Sequence, residues 1–127
     1  MFEKLKIKFL GNQPVAEISK ETLEKLIRRD FPENYEIVKQ KFDLIKSDSL
    51  KGQNRLSAAI LKVSNGNLNK LDSYIEMCNS DYRDVISKAE YPRISEIGFI
   101  EMEEIEPSQL KDYYLKDWTE YTNWLNK

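Results

Sequence analysis

Apolar residues recur three and four positions apart along most of this chain, and short clusters of turn residues interrupt the recurrence. That period is the signature of amphipathic helices. Leu23, Leu26, Ile27 and Phe31 share one face of a helix over residues 20–31, with Ser19 as its N-cap. Pro32 then breaks the chain. Tyr35, Val38, Phe42 and Ile45 mark a second helix over 33–46, and Ser47 and Asp48 mark a turn. Leu56, Ala59, Ile60 and Val63 form the stripe of a helix over 50–64, which Asn65-Gly66 ends because Gly suits a left-handed C-cap. Asn67 caps the next helix, striped by Leu68, Leu71, Ile75 and Cys78. After Asn79-Ser80-Asp81, a stripe of Tyr82, Val85, Ile86 and Ala89 runs to Pro92. The last stripe follows Ser108 as cap and carries Leu110, Tyr114, Trp118, Tyr121 and Leu125.

These patterns predict a mainly α fold, a compact array of five to six helices in a single domain over 1–127. Only four Gly and four Pro occur in 127 residues, too few for the many tight turns of an all-β chain. Two segments stay open between strand and helix. Leu5, Ile7 and Phe9 alternate as in a strand, while Phe2, Leu5 and Phe9 keep a helical spacing. Ile100 and Met102 alternate with Glu101 and Glu103. Residues 2–10 and 94–105 are therefore the place for a small β element.

Absent residues narrow the chemistry. The chain has no His and one Cys. Ser-His-Asp and Cys-His nucleophile systems and HExxH zinc sites are thereby excluded. Cys78 can form neither an internal disulfide nor a Cys-rich zinc cluster, and it fits a buried helical stripe. Gly11, Gly52, Gly66 and Gly98 are too far apart for GxGxxG, and no GxxxxGK[ST] occurs. No cofactor is expected, and no catalytic residue stands out. The longest purely apolar run, Ala58 to Leu61, is far too short for a membrane span. Lys residues interrupt the apolar positions of the N-terminus, unlike a secretory signal. The expected location is the cytoplasm, with no membrane partner.

Charge is unevenly placed. Lys and Arg number 20 against 22 Asp and Glu, a net charge of −2. Residues 1–60 hold 12 basic and 9 acidic side chains, whereas residues 61–127 hold 8 basic and 13 acidic. Between Glu96 and Glu120 eight acidic residues face only Lys111 and Lys116. Glu101, Glu103 and Glu104 head this run, and Trp124 follows it. A solvated surface accounts for such a run, and so does an acidic, aromatic face that meets a basic protein partner. In the first half, Lys4, Lys6, Lys8, Arg28, Arg29, Lys39, Lys41 and Lys46 lie near Phe2, Phe9 and Phe31. That set is the only basis for a nucleic-acid reading, which the acidic whole chain disfavours.

Asp81-Tyr82-Arg83-Asp84 opens a helix that leads to Glu90-Tyr91-Pro92-Arg93. Asp81 suits an N-cap, Asp84 suits the positive end of the helix dipole, and Arg83 can pair with a nearby carboxylate. The alternative is a recognition edge in which Tyr82, Arg83, Asp84, Glu90, Tyr91 and Arg93 present polar tips to a peptide or small anion. A further alternative is a carboxylate and metal-dependent enzyme centred on Asp81, Asp84 and Glu90. The run Asp81 to Ile86, with Ala89 to Arg93 behind it, resembles a small bacterial protein family of uncharacterised function. The resemblance extends from about Asn54 to Arg93, through the Arg55 to Val63 helix and the Asn65-Gly66 turn. It is looser again at Asp117-Trp118, Tyr121 and Trp124-Leu125. It implies a bacterial origin and a helical 54–91, and it brings no activity. The sequence leaves as first expectation a small non-enzymatic binding or regulatory protein, immunity- or antitoxin-like by analogy of size, charge and helicity.

Overall fold

A computed structural model describes residues 17–47, 49–97 and 104–127, the side chains of 50 and 51 excepted. The protein is mainly α. The described residues form seven helices and no strand: α1 Lys20–Asp30, α2 Tyr35–Phe42, α3 Leu50–Ser64, α4 Leu68–Ser80, α5 Tyr82–Glu90, α6 Pro92–Ile97 and α7 Pro107–Leu125. They fall into two compact units, one over Glu17–Ala89 and one that holds the chain from Glu90 onward.

In the first unit, α3 packs against α1 and α4, while α2 packs against α1 and α4. The reason is the composition of α3. Ala58, Ala59, Ile60 and Leu61 are all completely buried, so this helix is apolar on more than one side and needs neighbours on each. Ser57 and Ser64 are buried on the same helix and donate their hydroxyls to the carbonyls of Gln53 and Ile60, at 2.8 and 2.6 Å. A hydroxyl turned back on its own helix can be buried without an outside partner.

The caps follow from turn chemistry. Ser19 accepts from the Thr22 N–H, Ser49 from Gly52 and Asn67 from Lys70. Helix α3 ends at Asn65 with φ 48° and ψ 46°, and Gly66 continues the left-handed turn at φ 76°. Asn79, near the end of α4, donates to the Leu44 carbonyl at 3.0 Å and accepts from the Lys46 N–H at 2.9 Å. One amide thereby fixes the loop that leaves α2. Lys62 of α3 donates to the Ala89 carbonyl at 2.6 Å, placing a cation at the negative end of α5.

In the second unit α6 lies against α7. Ile94, Leu110 and Tyr114 are buried together, with Tyr91, Ile97, Ile105 and Tyr113 packed around them. Two expectations are corrected here. Residues 94–97 belong to a helix, not to a strand. The last helix begins at Pro107, not after Ser108. Proline at N1 needs no N–H partner and sets the helical φ. Residues 104 and 105 are not in a strand either, and the rest of the suggested β element, residues 2–10 and 98–103, lies outside the described residues.

Candidate functional site

The most developed polar arrangement joins α6 to α7. On α7 the buried positions are Leu110, Tyr114, Asp117 and Tyr121, a spacing of four, three and four. The third of these is a carboxylate, where the pattern asks for an apolar residue. Its side chain is 0% exposed. A buried charge needs partners, and α6 supplies them. The backbone N–H groups of Arg93 and Ile94 donate to Asp117 Oδ2 at 3.2 and 3.4 Å. The Arg93 guanidinium donates through Nη1 to Asp117 Oδ1 at 2.9 Å and through Nη2 to Glu120 Oε1 at 2.6 Å.

This geometry is a helix cap supplied from another helix. Helix α6 starts at Pro92, whose nitrogen has no hydrogen to satisfy, and its next two N–H groups point at Asp117. Glu120 first, and Asp117 second, hold the Arg93 guanidinium more firmly charged than usual. Burial pushes the Tyr114 hydroxyl up, and the Asp117 charge adds to it. Tyr91 meets Tyr114 edge-on at 5.7 Å. The carboxylate of Asp117 is thus committed to α6. It acts as a clasp and is not presented to a substrate.

The Asp81-Tyr82-Arg83-Asp84 block is largely satisfied by its own helix start. Asp81 accepts from the Arg83 N–H at 3.1 Å and from the Arg83 side chain through both carboxylate oxygens at 3.0 Å. These bonds hold the Asp81 carboxyl below its ordinary range. Asp84 is exposed in the first turn. Tyr82 does not pack on Val85 and Ile86 as its stripe position suggested, but is 56% exposed. Glu90 is buried, and Tyr91 half-buried.

The carboxylate and metal arrangement is not formed. Among the described residues no group of three or more Asp, Glu or Cys is placed to hold a metal ion, so Asp81, Asp84 and Glu90 do not converge. Asp81 is turned to Arg83, and Glu90 is buried at the far end of the same helix.

The basic residues of the first half are mostly engaged at home. Arg28 lies 3.9 Å from the centre of the Tyr35 ring. Lys39 pairs with Glu24 at 3.8 Å, Arg29 with Asp30 at 2.8 Å, and Lys41 with Asp72 at 2.6 Å. Phe31, counted among the nearby aromatics, is buried. Lys4, Lys6, Lys8, Phe2 and Phe9 lie outside the described residues.

At the C-terminal end Glu104, Glu106 and Asp112 are exposed, with Asp112 paired to Lys116 at 3.1 Å. Glu101 and Glu103 lie outside the described residues. Trp124 is half-buried and stacks on Tyr121 at 5.8 Å, while Leu115 is 47% exposed. Sequence reasoning missed Asp117, Asn79 and Lys62. Only Asp117 left a signal, as a charge at a heptad-spaced position among buried residues. The bonds of Asn79 and Lys62 join residues far apart in sequence, and no local pattern encodes them.

No protein-family model, curated protein or solved structure matches this chain. Among the described residues no helix is long and apolar enough to cross a membrane.

Proposed function

We propose that this chain is a small non-enzymatic binding protein of the bacterial cytoplasm, which meets a basic protein partner through the acidic and aromatic surface of its C-terminal region. The concrete form we favour is an immunity- or antitoxin-like inhibitor. One observation carries the reading. Residues 90–97 and 104–127 hold seven carboxylates against four basic side chains, and only two of the seven, Glu90 and Asp117, are buried. Five carboxylates, Glu96, Glu104, Glu106, Asp112 and Glu120, thus stand at the surface against four basic side chains, in the same unit as half-open Trp124 and exposed Leu115. Surface charge of one sign steers a complementary partner and repels wrong ones, and a partly open Trp supplies an anchor.

The test is charge reversal. Glu104→Lys, Glu106→Lys and Asp112→Lys together are expected to weaken capture of the partner at least about tenfold, since like charges across an interface are strongly unfavourable. Unchanged capture by the triple variant would remove the acidic face from the account.

A further inference from the structure

Asn65-Gly66 is the one Asn-Gly pair in the sequence, and both residues are exposed at the turn between α3 and α4. An Asn followed by Gly is the dipeptide most open to spontaneous deamidation, because no side chain hinders the following nitrogen. From the backbone here we infer that this turn is a latent deamidation site, kept closed by the left-handed cap of α3 and opened when that cap unfolds.

The chemistry sets the geometric condition. The Gly66 backbone nitrogen attacks Asn65 Cγ, and an N–Cγ bond forms. The Cγ–Nδ2 bond breaks, and the side-chain nitrogen leaves as ammonia with the proton from the Gly66 N–H. Water then opens the five-membered imide at either carbonyl. The products are aspartate, or isoaspartate in which the main chain runs through Cβ and Cγ. Ring closure needs the Gly66 nitrogen on the same side of the Cα–C bond as Asn65 Cβ, which for an L residue requires a strongly negative ψ. Asn65 has ψ 46°, so that nitrogen lies nearly opposite Cβ.

Several contacts hold Asn65 in this state. Its N–H donates to the Leu61 carbonyl at 3.3 Å, and the Asn67 N–H donates to the Ser64 carbonyl at 3.0 Å. The Asn67 side chain then caps α4 at the Lys70 N–H, 3.0 Å away. Attack requires rotation about the Asn65 Cα–C bond, which only the Asn67 N–H bond to Ser64 spans, so that bond must release. The lesion is also self-locking, because the extra main-chain carbon of isoaspartate does not fit the same cap.

The experiment uses the full chain at mildly alkaline pH, in buffer and in urea above the unfolding midpoint. The peptide from Val63 to Lys70 is followed for the mass gain of NH2 to OH exchange at Asn65 and for isoaspartate. Reaction in buffer is expected to be at least about tenfold slower than in urea, as local opening is a minor population. Asn67→Ala, which loosens the far side of the turn, is expected to speed the reaction in buffer. Equal rates in buffer and urea would overturn the inference, and so would a folded Asn67→Ala chain that reacts no faster than the wild type.

Discussion

Asp117→Ala removes a fully buried carboxylate and leaves two α6 N–H groups and Arg93 Nη1 without their acceptor, while Nη2 keeps Glu120. The cost lies mainly in the backbone N–H groups left unsatisfied, about 1–3 kcal/mol, and urea unfolding should show a loss of that order. Asp81→Ala also removes a cap and an ion pair, but both groups face water, so its midpoint should move far less. If the two variants lose equal stability, Asp117 is not the clasp described above. Tyr114 gives a second check at this scale. Its hydroxyl is pushed above its ordinary value near 10 by burial. Above that pH the unfolded chain has released this proton while the folded chain still holds it. Stability must therefore fall as pH rises, until the folded hydroxyl also ionises. Tyr114→Phe should flatten that alkaline fall, and an unchanged slope would contradict the assignment. Individual side chains were the least legible part of the sequence. Asp81 and Arg83 were readable because their partners are each other, two positions apart. Asp117 was not, because its role exists only once α6 lies on α7.

At the level of elements, local chemistry carried most of the information. The helices expected over 20–31, 50–64 and the stretch after Asp81 closely match α1, α3 and α5, because cap, stripe and stop agree in each. Helix α6 escaped notice for the opposite reason. Its six residues are too few to show a period, and its cap lies 24 positions away on another helix. Gly52 on α3 offers a test of cap against propensity. Ala in a helix interior is ordinarily better than Gly by about 1 kcal/mol. A Cβ at Gly52 would meet Ser47 Oγ at 2.7 Å and Ser49 Oγ at 3.0 Å, and Ser49 Oγ is the cap. Gly52→Ala should accordingly bring no gain in thermal stability. Ser49→Ala should cost about 1 kcal/mol, and adding Gly52→Ala to it should still bring no gain while Ser47 Oγ stays in place. A single Gly52→Ala that gains the full propensity difference would show that the two serines move aside freely.

For the molecule as a whole, the sequence legibly set the class, mainly α, and the sign of its C-terminal charge. It did not show the division into a unit over Glu17–Ala89 and a unit from Glu90 onward, because the border falls inside one helical stripe. That division predicts how damage spreads. Asp117→Ala should speed amide hydrogen exchange in α6 and α7 while α3 and α4 keep their protection. Uniform acceleration along the chain would mean that the units open as one. The central claim is that surface carboxylates of the C-terminal region bind a basic protein. Its most direct test is affinity capture from the cells that naturally express the chain. Wild type and the Glu104→Lys, Glu106→Lys, Asp112→Lys variant would be compared side by side by quantitative mass spectrometry. One basic partner should be recovered in stoichiometric amount with the wild type and lost with the variant. Equal recovery with both chains, or no protein beyond the chain itself, would contradict it.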